Sequence, residues 1–362
     1  MRSEPDIIFP AIKGRQAARE YYVAMCPLKI IPRLFKFDEE DSSLSPEIRA
    51  QRILNKGRIP ELARYVVNNK EDYVFSAITA SIDGKVRFEP IEAKSKHGDL
   101  IISMNASFLI NDGQHRRAAI EEAIKQEPSL GQETIAVVFF IDKGLERSQQ
   151  MFADLNRHAV KPSRSLGLLY DHRDDTAKIS KLIAIKADAF KGLVEMEKSS
   201  LSSRSGKLFT LSAIHTGCQV LLEPLKIEDS EKAQKICEEY WNEVANQFDD
   251  WKQVQNSKTL SSDVRYEKIH THAISLQSFG IIGAQLLKNN KQDWKEIIRK
   301  LKKIDWRRSN SEAWEGRTLI GGRVAKTTAS IILTVNYIKQ CLDLELTKEE
   351  KRIENEYLKG NK

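Results

Sequence analysis

Asp112-Gly113-Gln114-His115-Arg116-Arg117 holds the residue types that bind phosphate, at a junction suited to it. The apolar run Ser107-Phe108-Leu109-Ile110 precedes it, and Ala118, Ala119, Ile120, Ala123 and Ile124 follow at helical spacing. A strand therefore runs through a turn into a helix, with Asp112 expected to cap it. The first helical turn offers unpaired N–H groups and a partial positive charge. Arg116 and Arg117 add fixed donors for an oxyanion, and Gly113 lets one approach the backbone. His115 could move a proton, but the more usual role of such a histidine is to donate a hydrogen bond. The alternative is a strand-to-helix turn with solvated arginines, a common junction in α/β domains.

A second segment, Phe152 to Ser163, adds Asn156, Arg157, His158 and Lys161. By itself it reads as a helix C-terminus, where Asn and basic residues are favoured. Brought opposite the turn, Asn156, Arg157 and Lys161 would complete an anion-attracting pocket.

The elements that must position these groups alternate in the first half. Ile7–Ile12, Leu28–Ile31, Tyr73–Ile82, Leu100–Met104 and the continuous apolar run Ile135–Ile141 read as strands. Pro60 opens a helix with Leu62, Tyr65 and Val66 on one face. Further helices are expected from Pro46 to Asn55 and from Leu145 to Leu155. After about residue 160 the period changes. Asp174–Phe190, Leu208–Leu222, Ser230–Phe248, Val264–Leu287, Trp294–Ile304 and Arg323–Leu342 all have helical spacing. Ser199–Lys207 reads as a mobile loop and Lys348–Lys362 as a charged, frayed helix. The expected fold is α+β: a mixed α/β domain over residues 1–165 and an all-helical domain over 166–362.

Composition limits the function classes. The chain has 362 residues, 41% hydrophobic and 30% charged, with a formal net charge of +7. No apolar run approaches membrane-spanning length, and Met1–Asp6 lacks the core of a signal peptide, so the expected compartment is the cytoplasm. Cys26, Cys218, Cys237 and Cys341 form no CxxC pair, which argues against a zinc site or disulfide framework. His270-Thr271-His272 puts its histidines on different helix faces, HExxH is absent, and Ser205-Gly206-Lys207 lacks the rest of a P-loop. We assign no catalytic residue and no metal site.

The charge is unevenly distributed. Between Lys291 and Lys326 there are eleven Lys and Arg against five Asp and Glu. Lys300, Lys302, Lys303, Arg307, Arg308, Arg317 and Arg323 are the candidate phosphate contacts for DNA. The alternative is an ordinary solvated helix face. Trp306 and Trp314 could pack beside a DNA backbone, although core positions are commoner for tryptophan. No helix-turn-helix signature accompanies them.

The string DGQHRRAAI resembles the signature of the DGQHR-domain proteins, relatives of the ParB/sulfiredoxin fold. In that fold the strand–turn–helix cradles nucleotide phosphates, so the resemblance implies a nucleotide at the turn, ATP or CTP being the candidates. It also implies a facing Asn-plus-Arg element, which Asn156 and Arg157 resemble. Sulfiredoxin-like members carry a cysteine where this chain has Gln114, which argues against that reductase chemistry. Gly14-Arg15 with Tyr21-Tyr22, Arg52–Asn55 ahead of Ile59–Leu62, Phe75–Thr79 and Trp314–Arg317 resemble one family in this group, DndB of the bacterial DNA phosphorothioation clusters. That resemblance implies a DNA-binding repressor of the cluster's own promoter. A regulator reading a palindrome would be a homodimer. Two other classes stay open: a nucleotide hydrolase or nucleotide-gated switch, and a ParB-like nuclease.

Overall fold

Alternation of buried and exposed side chains builds the first sheet. In β1 (Asp6–Gln16), Phe9 and Ala11 face the core while Ile8 and Ile12 are exposed. In β2 (Arg19–Pro27), Tyr22, Ala24 and Cys26 face in and Met25 faces out. This is the period-2 signature of a sheet with one covered face. The computed structural model describes residues 6–35, 56–141, 150–151, 153–155, 162–289 and 293–360. The chain divides into two units, Met1–Val160 and Lys161–Lys362.

The first unit adds α1 (Ile31–Leu34), α2 (Ile59–Asn68), β3 (Ile78–Asp83), β4 (Val86–Pro90), β5 (His97–Ser103), β6 (Ser107–Asp112), α3 (Gln114–Gln126) and β7 (Thr134–Ile141). Its seven strands lie in the order β4-β5-β1-β2-β7-β3-β6. The pairings are antiparallel except β3 with β7, which is parallel. β7 runs between β2 and β3, which explains its unbroken apolar sequence. Ile78, Ala80, Ile82, Val137 and Phe139 form the core beneath α3 with Ile120. Ala123 of α3 meets Ala63 and Val66 of α2, and the small side chains allow close helix packing.

Two expected strands are corrected. Leu28–Ile30 is a 3-10 turn running into α1, because Pro27 and Pro32 favour a turn and a helix start over a ladder. Of the Tyr73–Ile82 run only the residues from Ile78 onward pair, in a strand that continues to Asp83. The expected helix over 46–55 and most of that over 145–155 lie outside the described residues.

The second unit contains α4 (Arg164–Tyr170), α5 (Asp175–Lys186), β8 (Val194–Glu195), β9 (Phe209–Thr210), α6 (Leu211–Leu222), α7 (Ser230–Ala245), α8 (Asp249–Gln255), α9 (Ser261–Glu267), α10 (Ala273–Lys288), α11 (Trp294–Arg299), α12 (Ser311–Trp314), β10 (Leu319–Ile320), β11 (Arg323–Val324), α13 (Thr328–Cys341) and α14 (Lys348–Gly360). Trp241, Trp251, Trp306 and Trp314 are buried among Phe190, Phe209, Phe248 and Phe279. Cys218 and Cys237 meet there with Sγ atoms 3.4 Å apart, both reduced.

The expected Val264–Leu287 helix is broken in two. His270 explains the break: its Nδ1 accepts from Trp251 Nε1 (3.0 Å) and its Nε2 donates to Asp250 (3.1 Å), fixing a buried 3-10 turn. The Arg323–Leu342 segment starts as a strand and turns helical only after Thr327, whose hydroxyl caps Ser330 N. The serine-rich loop is pinned, because Arg265 donates to the carbonyls of Ser202, Ser203 and Ser205. The second unit is not wholly helical: β8–β9 and β10–β11 form two-stranded ladders.

Candidate functional site

The turn between β6 and α3 forms as its sequence predicts, but the capping differs. Gly113 is the N-cap, with φ +113° and no side chain capping the helix. Asp112 instead takes Arg116, Nη2 to Oδ2 at 2.6 Å, and the same nitrogen donates to Ala77 O at 3.1 Å. The Arg116 guanidinium thereby lies over Gly113: a Cβ there would come within 3.1 Å of Nη2 and 3.0 Å of Ile78 Cγ1. The glycine is needed for its backbone angle and for this close packing. Here Arg116 fills the space read from sequence as an approach path for phosphate.

The two arginines of the motif do different things. Arg117 is buried, donating from Nε to Phe35 O (2.9 Å), from Nη2 to Pro32 O (3.0 Å) and from Nη1 to Glu121. It ties α3 to α1 and to the residue that ends it. Arg116 is partly exposed, and its Nε is buried without a partner. Gln114 is buried and donates to Ile110 O at 3.0 Å, bracing the turn.

His115 has its pKa lowered, chiefly by burial, then by the charges of Arg58 and Arg116, with Asp112 opposing. That electrostatic setting brings in Arg58, a residue not singled out in the sequence. It sits in Lys56-Gly57-Arg58, directly before α2, between two segments that carry the family resemblance. Arg58 and Arg116 thus gather positive potential around His115 at the amino end of α3. Asn111, fully buried beside Asp112, donates to Ser81 Oγ (2.7 Å) and Met151 Sδ (3.1 Å) and leaves Oδ1 without a partner. Asn156, Arg157 and Lys161 lie outside the described residues.

In the second unit the seven candidate DNA contacts separate by environment. The side chains of Lys302, Lys303 and Arg323 are exposed and make no hydrogen bond or ion pair with the described residues. Lys300 pairs with Asp343 (2.8 Å), and Arg307 with Asp305 (2.7 Å), which holds the Asp305 carboxyl down at about 2. Arg308 donates to Gly322 O at 2.5 Å. Arg317 is buried against Glu354 and stacks on Tyr357, which removes it from the surface as a phosphate contact. Trp306 and Trp314 are stacked on each other in the core, so neither faces a ligand.

Among the described residues, no cluster of three or more His, Cys, Asp or Glu could hold a metal ion, and no helix is long and apolar enough to cross a membrane. Compared with known families, residues 9–345 match DndB, described as DNA-sulfur modification-associated. The match covers nearly the whole chain, and the protein belongs to this family. No curated protein and no solved structure matches.

Proposed function

We propose that this chain is a DNA-binding regulator, a repressor acting on the promoter of its own phosphorothioation cluster. The observation that carries this reading is the group Lys302, Lys303 and Arg323: exposed cations outside any ion pair with the described residues, in a chain whose family belongs to DNA sulfur modification. Unpaired surface cations are what a DNA backbone neutralises, with release of its counterions. A palindromic operator would be bound by a homodimer. In this reading the chain is a stoichiometric binder of duplex DNA in the cytoplasm.

The turn at Gly113 is proposed as a second, smaller anion site for the phosphates of ATP or CTP. Support comes from the uncapped amino end of α3, from Arg58, His115 and Arg116 around it, and from Met151 lying against Asn111. Met151 precedes Asn156 and Arg157 by only five and six residues in the chain. Nucleotide phosphate would draw Arg116 from Asp112. A nucleotide hydrolase or a nuclease is the competing reading.

The test is binding of the full chain to its promoter duplex and to an unrelated duplex, with and without ATP and CTP. Preference for the promoter without turnover supports the regulator. Equal binding to both duplexes, or product formed from nucleotide or DNA, supports the competing reading.

A further inference from the structure

The turn joining β10 to β11 is a two-residue loop, Gly321-Gly322, with φ of +57° and +69°. Both residues are left-handed, as a type I′ hairpin requires. A Cβ on either glycine would meet nothing within 4 Å, so the tip stands in open space and the glycines serve the backbone angle alone. Ile320 pairs with Arg323, and Leu319 with Val324. Directly opposed residues share a face. The inner face, Leu319 and Val324, packs on the core, while the outer face, Ile320 and Arg323, is exposed, Ile320 to 56%.

One exposed isoleucine is ordinary. What sets this one apart is how firmly its short hairpin is held. An isolated hairpin this small is unstable in water. Here Glu315 accepts from both tip amides, Gly321 N (2.5 Å) and Gly322 N (3.1 Å). Arg308 donates to Gly322 O and lies over the Tyr266 ring, 6.0 Å from its centre. Side chains outside the hairpin therefore rigidify a tip that buries nothing on its outer face. Glu315 is engaged by the tip amides, whereas Arg323 has no acidic partner among the described residues. The adjoining cavity of about 550 Å³ is lined by Arg307 and Arg308 together with Glu267 and Glu315, and Arg307 pairs with Asp305, so the cation that the tip itself offers a partner is Arg323.

We infer that this hairpin enters the minor groove of duplex DNA, with Ile320 as an apolar wedge and Arg323 beside it among the phosphates. This rests on the DNA-binding reading above. The minor groove is only about 6 Å wide, which suits a two-residue tip. Its negative potential attracts arginine, and apolar wedges are inserted between its base steps.

The experiment uses the full chain and its promoter duplex, with affinity measured across a salt series. Ile320→Ala should weaken binding by about tenfold without altering the salt slope, since an apolar contact is lost. Arg323→Ala should flatten the log–log slope by about 0.9. Distamycin, which fills the minor groove, should displace the wild-type protein. Arg352→Ala, exposed on the outer side of α14 and paired there with Glu349 and Glu356, should change nothing. If both hairpin variants melt like wild type yet keep its affinity and slope, the hairpin inference fails while DNA binding stands. Wild-type protein that ignores duplex DNA overturns both. If Ile320→Ala changes the oligomeric state and leaves affinity intact, the hairpin is a subunit contact and the inference is overturned.

Discussion

Arg317 and Glu354, 37 residues apart, form a two-pronged ion pair, with Nη2 to Oε1 at 2.6 Å and Nη1 to Oε2 at 2.9 Å. Both side chains are under 10% exposed, and the Arg317 guanidinium lies between the Tyr357 and Tyr337 rings, 4.3 and 5.5 Å from their centres. Asn336 donates to Glu354 at 3.1 Å, and the buried Lys339 pairs with Glu350 at 2.6 Å. These contacts dock α14 onto α13 and the segment before β10.

Removing one member of this pair leaves a buried charge without a partner. Glu354→Ala should therefore cost about 3–5 kcal/mol of stability in chemical denaturation. Replacing both, as Arg317→Met with Glu354→Leu, should recover most of that loss. If Glu354→Ala were neutral, α14 would not be held by this pair.

The capping geometry at Gly113 gives a second prediction. Gly113→Ala places a Cβ 3.0 Å from Ile78 and forces φ +113° on an L-residue. A loss of about 1–2 kcal/mol follows from the backbone angle alone. A variant as stable as wild type would contradict the left-handed turn as the reason for glycine.

His115 reports on the proposed phosphate site. Burial, Arg58 and Arg116 disfavour its imidazolium, so its resonance should titrate below the ordinary histidine range. A bound polyphosphate adds negative charge and should raise that pKa. Histidine NMR titration with and without ATP or CTP measures both. An unchanged midpoint at saturating nucleotide would remove the turn as a phosphate site.

Two other histidines predict acid sensitivity of the second unit. Burial lowers the pKa of His270, and burial with the nearby Arg308 pushes His272 down to about 4. Both folded values lie below the unfolded value of about 6.5, so the unfolded chain binds more protons. The His272 contribution to stability is complete above about pH 6.5 and is lost as pH falls toward 4, and His270 acts in the same direction. Asp305 acts lower, between its unfolded value and about 2. Denaturation from pH 7 to 4.5 should lose up to about 1.4 kcal/mol per pH unit through His272. His272→Gln should flatten that loss, and an unchanged slope would show that His272 is not buried as described.

Much of the fold was legible in the sequence because hydrophobic period reports burial directly. The β6–turn–α3 junction, the central strand β7 and the change of period near residue 160 all follow from that signal. The buried arginines were not legible. Arg117 and Arg317 look like solvated cations because their partners, Phe35 O, Pro32 O and Glu354, are distant in the chain. Strands β10 and β11 have two residues each, too short for any period to register. Arg58 carried no signal of its own, since only the folded chain sets it beside His115.

If exposed cations of the second unit hold operator DNA, promoter binding must weaken with salt in proportion to their number. The most direct measurement is that salt dependence, for the full chain and for a Lys302→Ala/Lys303→Ala variant. Neither lysine makes an ion pair or hydrogen bond with the described residues, so the fold should survive both changes. Each lost phosphate contact flattens the log–log slope by about 0.9, which predicts a change of roughly 1.8 and weaker binding to every duplex. An unchanged slope and affinity in the folded variant, or wild-type protein that binds its promoter no tighter than unrelated DNA, would contradict the proposed function.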